Sequence, residues 1–114
     1  KVPEIDPSPE AVKKSHKLRE KGNELIKKGK YKRALDAYLK AIELNKKSEV
    51  LYSNCAFTRT KLKQFKKALK DVNTSIKIKP LWYKSHYRRG LILADLELYS
   101  DANESFNNSS WFWQ

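Results

Sequence analysis

The sequence predicts an all-α protein built as a solenoid of three stacked helix-turn-helix repeats. Three observations predict it. The phrase aromatic-x-x-Ala recurs at a fixed interval of 34 residues, at Tyr31/Ala34, Phe65/Ala68 and Tyr99/Ala102. The same interval relates Gly22, Ala56 and Gly90, then Tyr38, Val72 and Phe106, and the pair Ile42 and Ile76. Helix formers dominate, Gly occurs only 3 times in 114 residues, and no alternating apolar-polar strand pattern persists. Self-similarity at this period belongs to repeat arrays, in which each unit buries its apolar face only by stacking on its neighbours.

The elements follow in chain order. Ser8, Pro9 and Glu10 make a helix start, with a capping side chain, a proline preset for the first turn and an acid at the positive end of the dipole. Gly29 is the expected stop for that helix. Ala34, Leu35, Tyr38, Ala41 and Ile42 form the apolar stripe of the next helix, and Phe65, Ala68, Leu69, Val72 and Ile76 repeat it one period later. Two antiparallel helices cross closely only where a side chain is small. Gly22, Ala56 and Gly90 therefore supply the approach from the first helix of each repeat, and Ala34, Ala68 and Ala102 from the second. Tyr38, Val72 and Phe106 fill the space between layers. The expected division is an N-terminal linker or helix start over 1–14 and repeats over 15–48, 49–82 and 83–114, the last incomplete. Its Asn-Asn-Ser-Ser-Trp-Phe-Trp-Gln end supplies no polar capping helix of the kind such arrays use, so Trp111, Phe112 and Trp113 are a candidate self-association surface.

Composition narrows the function. At 114 residues the chain is one domain. No apolar run approaches the roughly 20 residues of a membrane span. The chain starts at Lys1 without a signal peptide or an initiator Met, which predicts a segment of a longer protein. The single cysteine, Cys55, forms no internal disulfide, fits a reducing compartment and is expected to pack as a small core side chain. His16 and His86 lie far apart. No metal-ligand spacing, nucleophile-base pair or glycine-rich phosphate loop is present, so neither catalysis nor a metal or other cofactor is expected. The net charge of +12 favours anionic partners. Its lysine clusters, Lys27, Lys28, Lys30 and Lys32 with Arg33, then Lys61, Lys63, Lys66, Lys67 and Lys70, read first as solvated faces and repeat corners. They are not interleaved with aromatics as a nucleic-acid stacking surface would be, which argues against nucleic acid as a partner.

The spacing of these small and large residues resembles the tetratricopeptide repeat (TPR) family over residues 15 to 114. The resemblance implies a right-handed superhelix whose first helices line a concave peptide groove. Pro80 sits where that family commonly ends a second helix, and Lys46 takes the place in the first repeat. Arg59 stands at a usually aromatic or apolar site, and Ser109 and Ser110 where Ala and an aliphatic residue are usual, so the third repeat is the weakest match.

Within that framework, side chains one turn apart on the first helices converge on a bound peptide. Arg19 and Asn23 are four apart, Asn54 stands at the sixth position of the second repeat, and Lys84 and Arg88 are again four apart. This set, with the phrases Lys21-Gly22-Asn23-Glu24, Tyr52-Ser53-Asn54 and Tyr87-Arg88-Arg89-Gly90, is similar to the two-carboxylate clamp of TPR cochaperones. Those proteins grip the C-terminal tails of heat-shock protein 90 and/or 70. The family pattern has Lys where this chain has Arg19, a change that keeps the charge but alters its shape and hydration.

The resemblance implies that Arg19, Asn23 and Asn54 hold the terminal main-chain carboxylate and Lys84 the terminal Asp side chain. Arg88 would meet backbone or an upstream acid. Ile26, Phe57 and Lys61, on the same faces, would form the pocket for the preceding residues of a Glu-Glu-Val-Asp tail. The implied role is a cytoplasmic cochaperone or adaptor module, or one on the cytosolic face of an organelle. Three other readings stay open: a scaffold for an internal peptide, a basic nucleic-acid surface, and a non-catalytic part of a phosphatase or prolyl isomerase.

Overall fold

A computed structural model of the chain describes residues 5–96. Those residues form five helices and, among them, no strand: α1 (Pro9–Lys27), α2 (Tyr31–Leu44), α3 (Glu49–Lys61), α4 (Phe65–Ile78) and α5 (Tyr83–Asp95). The expected second helix of the third repeat, with Tyr99, Ala102, Phe106 and the Trp111–Trp113 tail, lies outside the described residues.

Local chemistry sets the helix ends. The Ser8 hydroxyl accepts from the Ala11 amide at 3.1 Å, and Pro9 occupies the first turn, as the sequence predicts. The α1–α2 turn closes with two backbone bonds, Gly29 N–H to Ile26 C=O and Lys30 N–H to Leu25 C=O, both 2.9 Å. This pattern requires a left-handed residue just past the helix, and Gly29 takes it at φ +72°. The α3–α4 turn repeats the pattern with Lys63 N–H to Thr60 C=O at 3.0 Å and Gln64 N–H to Arg59 C=O at 2.8 Å. Here Lys63 adopts φ +64°, a conformation that costs a side chain with a Cβ about 1–2 kcal/mol. Ser48 caps α3 through the Leu51 amide.

Packing then stacks the hairpins. Each helix packs on the next in chain order, and α5 also reaches α3, so these two first helices lie side by side. One core cluster joins Leu25, Ala34, Tyr38, Ala41, Leu51 and Cys55, with Leu18, Ile26, Leu35 and Ile42 against it. A second joins Ala56, Ala68, Val72 and Ile92, with Leu69 and Leu96. The small residues sit where the close crossings need them, since Ala34, Ala41, Ala56 and Ala68 are all fully buried. Gly22 shows the constraint directly: a Cβ there would lie 2.5 Å from Tyr38 Cε1 and 2.9 Å from Cζ. The Tyr38 ring occupies the space that the missing side chain leaves.

Arg59, the departure at an apolar site, has a physical explanation. Its Nε donates to Asp71 Oδ2 at 2.7 Å and its Nη1 to Gln64 Oε1 at 3.0 Å, linking α3 to α4. Burial raises the Asp71 carboxyl above its ordinary value, and the Arg59 charge opposes that rise. A cation at position 59 is what a carboxylate at position 71 requires.

Candidate functional site

The five candidate clamp residues all lie on first helices: Arg19 and Asn23 on α1, Asn54 on α3, Lys84 and Arg88 on α5. Helical spacing puts Arg19 one turn from Asn23, and Lys84 one turn from Arg88. Asn23 and Lys84 are exposed, while Arg19, Asn54 and Arg88 are half-buried. Among the described residues, no hydrogen bond or ion pair engages the Arg19 guanidinium, the Asn54 amide or the Lys84 ammonium. Three of the five polar heads therefore have no hydrogen-bond or ion-pair partner among the described residues.

The other two are held, in different ways. Asn23 Oδ1 accepts from the Tyr38 hydroxyl of α2 at 2.5 Å. The Tyr38 phenol is 2% exposed, and burial, reinforced by Cys55 and opposed by the Arg19 charge, pushes its pKa up to about 12. It is a neutral donor at every physiological pH. Arg88 instead lays its guanidinium over the Phe57 ring, with Cζ 4.8 Å from the centroid. The Lys61 ammonium lies 5.5 Å from the same centroid. Such cation–aromatic contacts contribute roughly 0.5–2 kcal/mol, according to how far the cation is desolvated. Arg88 Nε is buried without a hydrogen-bond partner, and burial lowers the guanidinium pKa.

Of the secondary candidates, the structure brings Phe57 and Lys61 to Arg88, and half-buries Ile26 against the first core cluster. The residue that sequence reasoning missed is Tyr38, assigned there to packing alone. A signal was present: the positions one and two periods on hold Val72 and Phe106, so only Tyr38 carries a hydroxyl beyond what packing needs.

Two surface grooves, of about 420 and 380 Å³, run along α1 and α2 and along α4, and no clamp residue lines either. Lys32 and Arg33 border the first, Lys66 and Lys70 the second, so these parts of the lysine clusters serve other faces. Cys55 is buried in the core, and burial pushes its thiol up to about 12. It is inert as a nucleophile in the folded chain. Among the described residues there is no cluster of potential metal ligands, and no helix is long and apolar enough to cross a membrane.

Comparison with known proteins agrees with this architecture. The family model described as TPR repeat matches residues 22–62. Dynein axonemal assembly factor 4 of Rattus norvegicus is 35% identical over 113 residues, covering 92% of this chain and 27% of the relative. The Hsp70-Hsp90 organizing protein of Triticum aestivum is 38% identical over 88 residues, covering 77% of this chain and 15% of the relative. This chain thus spans less than a third of the length of either.

Among solved structures, the first TPR of Spaghetti (RPAP3) bound to the HSP90 peptide SRMEEVD superposes with a TM-score of 0.86. It is 29% identical over 93% of this chain and 82% of that one. The first TPR domain of human RPAP3 gives 0.83 at 30% identity, covering 85% of this chain and 76% of that one. Period, helix pairing, small-residue crossings and these likenesses agree: the chain belongs to the tetratricopeptide repeat family.

Proposed function

We propose that this chain is a peptide-docking module that grips the free C-terminus of a Glu-Glu-Val-Asp tail, of heat-shock protein 90 and/or 70, and so serves a cochaperone or adaptor. Arg19, Asn23 and Asn54 take the terminal main-chain carboxylate, Lys84 the Asp side chain, and Arg88 backbone or an upstream acid. Phe57 and Lys61 border the preceding residues, with Ile26 alongside. The observation that carries this reading is that, among the described residues, Arg19, Asn54 and Lys84 on the three first helices have no hydrogen-bond or ion-pair partner. Three polar heads without a hydrogen-bond or ion-pair partner among the described residues suit a ligand that brings two carboxylates. Support also comes from the 29%-identical domain solved with a peptide ending in EEVD.

The chemistry is that of charge-assisted hydrogen bonds, each contributing roughly 1.5–3 kcal/mol. After the cost of ordering a short peptide, micromolar affinity results, near −8 kcal/mol. No catalytic step is assigned to these residues, and a cytoplasmic setting suits the tails they would meet.

Titration calorimetry with a peptide ending in Glu-Glu-Val-Asp, as free acid and as C-terminal amide, tests the reading. Micromolar binding of the acid with little binding of the amide is expected. Equal binding of both would point to an internal-peptide scaffold. Binding of neither, with a steep salt-dependent affinity for RNA, would point to the basic surface.

A further inference from the structure

We propose that Tyr38 is a positioning residue: by holding Asn23 Oδ1 it fixes the amide orientation so that Nδ2 is the arm left for a ligand, which lets the first hairpin favour a terminal carboxylate over a terminal carboxamide. The inference rests on the clamp reading of Asn23 and extends it to specificity.

An Asn side chain carries an acceptor and a donor arm, and unrestrained it can present either. Here the Tyr38 hydroxyl donates to Oδ1 across the α1–α2 interface. The phenol has little freedom to leave. Its ring fills the space over Gly22 and belongs to the first core cluster. With Oδ1 held by Tyr38, the amide is kept from flipping, and the exposed Asn23 side chain presents its Nδ2 hydrogens on the side away from the phenol. A carboxylate accepts at both oxygens, whereas a carboxamide presents one acceptor and one donor. A fixed donor therefore favours the carboxylate in either orientation, and a freely turning amide would accommodate the carboxamide as well.

The repeat itself isolates the feature. The positions equivalent to Asn23 hold Phe57 and Leu91, and those equivalent to Tyr38 hold Val72 and Phe106. In the sequence, amide and hydroxyl occur together at these positions in the first repeat alone, and Val72 is buried in the second core cluster without the oxygen.

The test is Tyr38→Phe, which keeps the ring and removes the donor, titrated with the acid and amide peptides. Affinity for the free acid should fall three- to tenfold, affinity for the amide should hold or rise, and the acid-to-amide ratio should narrow at least threefold. In an Asn23→Ala background, Tyr38→Phe should leave the ratio unchanged. A merely structural role would lower both affinities together. Asn23→Ala alone, altered only on an exposed side chain, reaches the same ratio without touching the core. A wild-type chain that discriminates, beside a folded Tyr38→Phe or an Asn23→Ala chain that discriminates equally well, overturns the inference alone. A wild-type chain that does not discriminate overturns the clamp reading, and the inference with it.

Discussion

The first hairpin, α1–α2, and the second, α3–α4, share one frame and differ in the polar link across it. Their second helices are both 14 residues long and begin one period apart, at Tyr31 and Phe65. Their turns use the same two backbone bonds. In the first hairpin the link is a neutral hydrogen bond, Tyr38 to Asn23, and one end of it is a clamp candidate. In the second it is an ion pair, Arg59 to Asp71 with Gln64, and neither end is a clamp candidate. Packing constraints recur with the repeat because the helix crossing recurs. Polar chemistry is free to differ wherever the packing is already satisfied. Function and stability should therefore separate on mutation of the two hairpins.

The largest effect is expected outside both. Lys84→Ala or Arg88→Glu on α5 should cut affinity for the free-acid tail by about a hundredfold or more, with circular dichroism unchanged. Retained affinity in both would remove α5 from the site.

Next comes Arg59→Ala, which leaves a largely buried carboxylate unpaired and should cost about 3 kcal/mol in chemical denaturation. Tail affinity of the chain that remains folded should not change. The pH dependence follows from the sign of the Asp71 shift. Its folded pKa lies above the ordinary 3.8, so its contribution to stability is fully present below that value and is lost as pH rises through the folded value. Removing Arg59 raises the folded value further. The mutant's deficit at pH 7 should accordingly shrink as the pH falls towards 4; a deficit independent of pH would show that Arg59 acts by packing alone.

Gly22→Ala joins the two axes. Overpacking against the Tyr38 ring costs about 1–3 kcal/mol, and the better helix propensity of Ala returns up to about 1. A lower melting temperature together with weaker tail binding is expected, because displacing the ring also displaces the hydroxyl from Asn23. A stability loss with unaltered acid-to-amide discrimination would uncouple the ring from the groove.

The smallest effect compares the two turns directly. Lys63→Gly should relieve the left-handed residue and stabilise by up to about 1 kcal/mol, whereas Gly29→Ala should destabilise. Equal responses at both positions would contradict the shared turn geometry.

Much of the fold was legible because its determinants are local or periodic. Ser8 and Gly29 could be read as helix start and stop, since a cap and a left-handed residue act on their own backbone. Arg19, Asn23, Asn54, Lys84 and Arg88 could be named as candidates because one helical turn and one repeat carry a sequence position to a face. Arg59 was visible only as a departure, since its reason, Asp71, stands 12 residues away on the partner helix. Sequence by itself determined the repeat, the helix order, the small residues at the crossings and the types of charge available to the groove. Only the tertiary structure decided which of those polar groups are spoken for: Asn23 tied to Tyr38, Arg88 laid over Phe57, and Arg19, Asn54 and Lys84 left without a hydrogen-bond or ion-pair partner among the described residues. The reason is physical. Periodicity places a side chain on a surface, but its rotamer and hydrogen bonds depend on which neighbours the packed helices bring within about 3 Å of it.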